Sequence, residues 1–223
     1  MVVLFLLNLY IVDQPDINIM EHGKYSLQLR FGPKGEILGF GSIGLWNRLL
    51  LGMSYGASNL IGAGNPGFYK YPGVQARLAV LEPDLLLPSF ILGFDNQGYG
   101  EYDTGLERYA IMSKGLYCQV GKNFDYAEFK IIPSFGINYS FEQSGRIDIF
   151  GGIIFEISST QFLIDFTPNF NDDNYNDTGY LNTGLKFIFY EQLFFEFDLR
   201  DLLENIEGQQ LNRMIKIGYE DTF

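Results

Sequence analysis

The sequence is poor in the residues that most catalytic and metal sites use. It contains one cysteine, one histidine and one tryptophan among 223 residues. A single cysteine excludes an internal disulfide and a thiolate metal site, and we interpret Cys118 as a small hydrophobe within a strand. A serine hydrolase needs a histidine beside its nucleophile, and His22 stands alone, just before the first predicted strand. We therefore expect no enzyme activity, no cofactor and no metal site.

Long apolar runs and positive charge are also scarce. No stretch of about 18 apolar residues occurs, so no transmembrane helix is predicted. The formal net charge of -12 argues against a phosphate-binding surface, which excludes nucleic acid as a partner. At this length the chain fits a single domain.

The N-terminal segment is the most apolar part of the chain. Residues 1–12 resemble the apolar middle of a secretion signal, but they lack a basic start and a small-residue cleavage site. A remnant of such a signal is the preferred interpretation, and an uncleaved amphipathic or plugging segment is the alternative. We therefore separate residues 1–20, a signal-like or N-terminal segment, from residues 21–223.

Alternation with a period of two dominates those remaining residues. Between Phe129 and Phe141, every second residue is Phe, Ile, Pro or Tyr, and the residues between them are mostly small or polar. Such alternation gives a strand one apolar and one polar face. We predict strands near 24–31, 36–46, 49–57, 73–81, 86–95, 108–122, 127–142, 146–157, 162–168, 179–190, 193–201 and 212–222.

The connections between these strands alternate between short and long. Tight turns are predicted at 47–48, 82–85, 123–126, 158–161 and 191–192. The intervening connections at 58–72, 96–107, 169–178 and 202–211 are longer, whereas 32–35 and 143–145 are short exceptions. Outer-membrane barrels separate short turns from long loops in this way. We therefore predict an all-β, closed antiparallel transmembrane barrel of about twelve strands, arranged as an up-and-down hairpin meander.

The polar faces of these strands carry charges, which are costly in lipid and are therefore expected to face the lumen. The predicted lumen-lining residues are Arg30, Arg77, Asp95, Lys130, Asp148, Glu156, Asp165, Lys186, Glu196, Asp198 and Arg200. Acids and bases are nearly balanced in this set, which is compatible with a salt-bridged lumen or with an open pore. A soluble lipid-binding barrel is an alternative, and it would need an apolar interior from all twelve strands.

The long connections are rich in acidic residues. Residues 171–177 form the densest group of oxygen ligands, but their spacing departs from an EF-hand, and we interpret them as a hydrated loop. Divalent cations bridging the acidic loops to lipopolysaccharide would give the barrel a lipid partner. Outer-membrane lipid, lipopolysaccharide and other envelope proteins are the expected partners, while the oligomeric state stays open.

Three stretches resemble a known family: Glu21–Phe31, Asn59–Asn65 together with Tyr71–Gln75, and Gly93–Gly100. They are similar to uncharacterised bacterial outer-membrane barrels related to the YjbH-like family, and the similarity covers roughly residues 20–223. The resemblance implies an association with exopolysaccharide production and brings no catalytic residues with it.

The sequence thus predicts an integral barrel of the bacterial outer membrane. Its expected role is non-enzymatic, either as a small pore or as a structural or anchoring barrel of an envelope assembly. A barrel associated with exopolysaccharide export and a lipid-modifying enzyme are the remaining alternatives.

Overall fold

A closed barrel organises the chain. The computed structural model describes residues 8–62, 64–81, 87–142, 147–172, 178–206 and 212–223. Within these ranges, twelve long strands form one sheet: β1 (Lys24–Phe31), β2 (Ile37–Leu45), β3 (Leu49–Ser58), β4 (Gly73–Leu81), β5 (Ser89–Asp95), β6 (Gly115–Gly121), β7 (Lys130–Tyr139), β8 (Ile147–Ile157), β9 (Thr160–Thr167), β10 (Tyr180–Phe189), β11 (Leu193–Arg200) and β12 (Asn212–Thr222). The predicted closed antiparallel barrel is confirmed.

Neighbours in sequence are neighbours in the sheet, and the last strand pairs with the first. The β1–β12 register runs from Lys24 opposite Thr222 to Phe31 opposite Ile215. Between β6 and β7, the amide of Lys122 donates to the carbonyl of Pro133, and Tyr139 pairs with Gly115. Among the twelve described barrel strands, closure leaves no free sheet edge, which is what a lipid environment demands of β-structure. The described residues contain no helix long and apolar enough to cross a bilayer.

Large apolar side chains cover the outside of the barrel. Leu27, Met53, Phe197 and Ile217 are each more than a third exposed, and their strand neighbours that point inward are buried. A soluble barrel would place its apolar face inside, so the observed arrangement is the opposite of that alternative. An apolar outer wall on a closed barrel indicates an integral protein of the bacterial outer membrane.

A charge at the middle of this wall should destabilise the barrel strongly. Ile217 lies halfway along β12 and is 45% exposed. We expect Ile217→Arg to lower the free energy of unfolding in lipid vesicles by about 2–4 kcal/mol, because mid-bilayer arginine loses its hydration. Thr222→Arg, at the end of the same strand, should cost at most about 1 kcal/mol. Equal costs in urea titrations of the two variants would contradict this assignment of the outer wall.

The predicted strand at 108–122 was wrong in its first half. Residues Arg108–Ile111 pair instead with Tyr99–Asp103 in a separate hairpin, and the barrel strand begins at Gly115. Gly115 has a positive φ of 64°, and a Cβ there would lie 2.1 Å from the carbonyl oxygen of Tyr139. The chain therefore bends before β6, which lets the 99–111 hairpin fold over the barrel mouth. Short two-residue strands also occur at Gly67–Phe68 and Phe124–Asp125.

The loop asymmetry is visible where the connections are described. The turns at 46–48, 158–159 and 190–192 are tight, and the connection from β3 to β4 is longer. The predicted turn at 82–85 and the short connection at 143–145 lie outside the described residues, as do most of the acidic loop at 171–177 and the last part of 202–211.

Candidate functional site: the lumen and its plug

Residues 8–20, which we call the N-terminal plug, lie inside the barrel. Residues 9–16 fold as a small hairpin, in which Tyr10 bridges to Pro15 and the amide of Ile11 donates to the carbonyl of Gln14. Beyond the plug, the backbone amides of His22 and Gly23 donate to Asn47 and Gly44, near the β2–β3 turn. The plug thus enters from the short-turn end of the barrel. Residues 1–7, where the signal-like pattern is strongest, lie outside the described residues.

The tip of the plug is fixed by one carboxylate of the wall. Asp165, on β9, accepts the backbone N–H groups of Val12, Asp13 and Gln14 on a single oxygen, at 2.8–3.1 Å. Its other oxygen accepts a hydrogen bond from Asn182 at 2.8 Å. Three backbone donors at a sharp turn have no partners within the turn itself, and buried donors must be satisfied. Asp165 therefore determines where the tip lies.

Loss of this carboxylate should loosen the tip selectively. We expect Asp165→Leu to leave three buried N–H groups unpaired, each costing about 1–3 kcal/mol, and so to accelerate hydrogen exchange at the amides of residues 12–14. Asp165→Asn keeps one acceptor oxygen and should give an intermediate rate. Unchanged exchange in the leucine variant would show that the tip is held by other contacts.

Two arginines bind the carboxylate of the plug. Arg200 donates from Nε to Oδ2 of Asp13 at 2.6 Å, and its Nη2 lies 2.6 Å from the same oxygen. Nη1 of Arg30 lies 3.7 Å from Oδ1 of Asp13. The Arg30 guanidinium also lies 4.5–5.0 Å from the centroids of the rings of Tyr10, Phe40 and Tyr99. All three charged side chains are buried, so each depends on the others for charge compensation.

Further wall residues bind the rest of the plug. Lys216 Nζ donates to the carbonyl of Val12 at 2.8 Å and pairs with Glu196 at 2.5 Å and Asp198 at 2.9 Å. Other contacts include Lys186 with the Asn8 side chain, Tyr10 Oη with Asp95 at 2.6 Å, and Arg77 with the carbonyl of Asp16 at 3.4 Å. With Asp165, Arg30 and Arg200, these polar groups come from seven strands and converge on thirteen residues of the chain.

A row of charged residues runs around part of the inner wall. Cross-strand partners follow one another from β7 through β12 to β1 in the order Lys130, Glu156, Gln161, Lys186, Glu196, Lys216 and Arg30. Three of the six pairs along this row join opposite charges, and such cross-strand pairs stabilise a sheet. Gln161 is uncharged and separates Glu156 from Lys186. Lys216 and Arg30 are two cations that face each other, and Glu196 and Asp13 lie beside them.

The predicted lumen-lining residues are divided between plug contacts and wall contacts. Arg30, Arg77, Asp95, Asp165, Lys186 and Arg200 contact the plug, as described above. Glu196 and Asp198 bind Lys216 rather than the plug itself. Glu156 accepts a hydrogen bond from Gln161 at 2.6 Å, and Asp148 accepts one from the amide of Phe170 at 3.2 Å. Lys130 lies near the short-turn end of the barrel, 3.3 Å from Asp125.

Apolar packing holds the two sides of the plug. Ile11, Val12 and Ile17 pack against inward-facing residues of the wall, which are Ile132, Ile154, Leu163 and Met214. Leu9, Tyr10 and Met20 belong to a second cluster, with Leu38, Phe40, Leu50, Tyr69, Tyr99 and Tyr109. The plug is therefore held by polar contacts at its tip and by two apolar clusters.

The hairpin at 99–111 covers the mouth above the plug. Arg108 pairs with Asp172 at 2.5 Å, and Glu142 accepts the amides of Tyr109 and Ser113. Burial raises the pKa of the Glu142 carboxyl, and the hydrogen bonds from Ser113 and Tyr109 oppose that shift. A cavity of about 490 Å³ lies between this hairpin and the wall, and Arg200 reaches it from below.

The histidine and the acidic loop residue considered above lie apart from each other and have structural partners. His22 is exposed, and its Nδ1 accepts the amide of Trp46 at 3.3 Å, near the β2–β3 turn. Asp172, part of the predicted acidic loop, is engaged by Arg108. Across the described residues, no group of three or more His, Cys, Asp or Glu side chains is placed to hold a metal ion.

The sequence offered a plugging segment only as the alternative interpretation of residues 1–12, and it did not single out Asp13 or any other residue of the plug as part of the site. One signal was available. Ile132 stands among small and polar residues on the inner face of β7, and Leu38 and Phe40 face inward from β2. Apolar residues that point into a polar lumen need an apolar partner, and the plug provides it.

Comparisons with known proteins agree with the architecture. No family model and no curated protein sequence matches the chain. A solved structure of a KdgM porin aligns with a TM-score of 0.54 at 8% identity, over 90% of this chain and 99% of the porin. A second KdgM porin structure, in complex with disordered oligogalacturonate, has a TM-score of 0.49 at 9% identity, over 90% and 99%. A mutant Rh. blastica porin has a TM-score of 0.33 at 7% identity, over 90% and 98%. The first likeness shows a shared barrel fold.

Proposed function

We propose that this chain is a small outer-membrane pore whose lumen is closed by the N-terminal plug. Twelve strands enclose more space than wall side chains alone would fill, and the plug occupies that space. In this proposal, residues 8–20 are the movable closing element and the barrel is the conduit. The charged residues that line the lumen are then the surface that a solute meets once the plug has left.

The observation that carries this proposal is that many contacts between the plug and the wall are ionic or polar. Asp13, Asp165 and Lys216 make the main contacts, and their partners are charged groups or backbone amides and carbonyls. A permanently closed core gains little from such pairs, because well-packed apolar side chains usually stabilise as well or better. If the plug leaves, the inner wall is exposed to water, and it then needs polar groups that water can solvate. This favours a pore over a purely anchoring barrel.

Single-channel recording tests the proposal directly. The full chain, refolded into a planar bilayer, should show a mostly closed state interrupted by discrete openings. Cation selectivity is expected, because the long-loop mouth carries exposed Glu101 and Asp103. Stable insertion with no openings at any voltage would contradict the pore and favour an anchoring barrel.

The proposal includes no enzyme activity. The single histidine is on the outside, at a turn, and its Nδ1 is engaged by the Trp46 backbone. A lipid-modifying enzyme would need a nucleophile beside such a base at the lipid-facing rim. Replacing His22 with alanine should therefore leave the conductance unchanged.

We also propose two partners for the barrel, lipopolysaccharide and an envelope system that produces exopolysaccharide. The acidic mouth would bind lipopolysaccharide phosphates through divalent cations, and addition of EDTA should then weaken the lipid association and lower the thermal stability of the barrel. The stretches that resemble YjbH-like barrels support, within this proposal, a place in an envelope system that produces exopolysaccharide. Co-purification from cells with and without such a system would test that placement.

A further inference from the structure

The outer wall has an apolar furrow where strand β2 departs from the pattern of its neighbours. In β2, Leu38 and Phe40 point inward and are buried, while Gly39 and Gly41 occupy the lipid-facing positions. Neighbouring strands place Leu27 and Leu29, and Met53 and Tyr55, at the corresponding outward positions. Two missing side chains between rows of large ones leave a furrow with a volume of about 670 Å³.

Packing and backbone geometry do not require these glycines. Neither residue has a positive φ. A Cβ at Gly39 would lie 3.6 Å from the Leu29 side chain, and one at Gly41 would lie 3.5 Å from the Leu27 side chain, both ordinary contacts. Glycine weakens a strand, so its presence where a larger residue would fit commonly marks the close approach of a ligand or another chain.

We propose that the furrow seats the acyl chain of a membrane lipid. Its lining is almost entirely apolar: Leu27, Leu29, Met53, Tyr55, Ile217 and Tyr219 form most of the walls. It opens on the face that the barrel already presents to the hydrocarbon of the bilayer, so it is continuous with an established lipid interface. A flexible chain of methylene groups can fill such a furrow without any polar partner.

A second copy of the protein suits the furrow less well. A two-fold dimer through this face would place the same concave surface on both sides of the interface, because a two-fold interface uses one patch twice. Two furrows facing each other would leave an unfilled space, which costs packing energy. A lipid chain between the barrel and the bilayer leaves no such space.

The inference rests on the membrane location and not on the pore function, and a tryptophan reporter tests it. In a Trp46→Phe background, Tyr55→Trp places the only tryptophan in the furrow wall. Phe135→Trp, in the same background, places it on the outward face of β7, on the far side of the barrel from the furrow. Folded protein in detergent is titrated with phosphatidylcholine brominated in the middle of one acyl chain, a quencher of tryptophan fluorescence.

The furrow reporter should be quenched in a saturable manner at low lipid-to-detergent ratios, whereas the β7 reporter should respond only in proportion to the lipid in the micelle. Adding Gly41→Leu, which fills the furrow without replacing the reporter, should remove the saturable phase. Proportional quenching at both positions would overturn the lipid site. A dimer mass that Gly41→Leu converts to a monomer would overturn it in favour of a second copy. Failure of brominated lipid vesicles to quench the β7 reporter would instead contradict the membrane location.

Discussion

Replacement of Asp13 by lysine should open the barrel to ions. Asp13 is the carboxylate that both Arg30 and Arg200 bind, at 2.6 Å from Arg200 and 3.7 Å from Arg30. Lysine at this position would bring a third cation to the two arginines in a site shielded from water. The plug should then leave the lumen far more often than in the unmodified protein.

The expected size of the effect follows from the burial of the three groups. Loss of one partner from a buried ion pair costs about 3–5 kcal/mol, because the remaining charge keeps its desolvation cost without its compensation. The same energy difference between closed and open states corresponds to roughly a hundredfold or larger increase in the open population. Apolar contacts of Ile11 and Val12 are unaffected by the substitution, so the closed state should persist beside the open one.

Single-channel recording of Asp13→Lys beside Asp103→Lys provides the measurement and its control. Asp103 is exposed in the mouth hairpin, so its replacement makes the same change in net charge without contacting the plug. Frequent openings in the first variant and few in the second would locate the gate at Asp13. If both barrels insert and neither conducts, the plug is not what closes the lumen.

The barrel wall could be predicted from local sequence because each of its features depends on nearest neighbours. Alternation along a strand determines which side chains face lipid, and turn length determines which strands pair. Leu193, Phe195 and Phe197 alternate with Phe194, Glu196 and Asp198, and the structure exposes the first set and buries the second. Such rules need no knowledge of distant residues.

The plug could not be predicted in the same way, because its partners lie far along the chain. Asp13 binds a residue 187 positions away, and Asn8 binds one 178 positions away. A short segment with mixed apolar and polar residues has no period that distinguishes a lumen plug from a secretion signal. Only the closed barrel brings Asp165 and Arg200 to the same place.

The mouth hairpin shows a further limit of pattern reading. Residues 108–122 alternate well enough to be read as one strand, yet Arg108 is drawn towards Asp172 and Glu142 binds the amide of Tyr109. Glu142 and Tyr109 are more than thirty residues apart in the sequence, and Arg108 and Asp172 are more than sixty residues apart. Tertiary contacts of this kind override local strand preference.

Substitution of an inward glycine should destabilise the barrel, whereas the same substitution on the lipid face should not. Gly136 lies directly across from Phe150, and an added Cβ would be 2.3 Å from the Phe150 ring. Gly93 opposite Tyr117 and Gly218 opposite Phe194 repeat this arrangement. Each buried ring lies over the glycine of the neighbouring strand, a known device for stabilising glycine in sheets.

The Phe150 ring has little room to move away. It is 1% exposed, and it meets the Tyr117 ring edge-on at 5.9 Å. We therefore expect Gly136→Ala to lower the free energy of unfolding by about 1–3 kcal/mol through overpacking. Gly41→Ala, whose new methyl group would meet only the Leu27 side chain at 3.5 Å, should raise it by about 0.5 kcal/mol, because alanine restricts the unfolded chain.

Urea unfolding of both variants in lipid vesicles measures this difference of sign. Equal destabilisation would mean that the strands need glycine for their backbone alone, and the ring-over-glycine pairs would lose their structural role. Stabilisation by both variants would mean that the lumen is more loosely packed than the contacts at Phe150 indicate. Opposite signs would locate the tight packing on the inner face, where the three aromatic rings and the plug share the lumen.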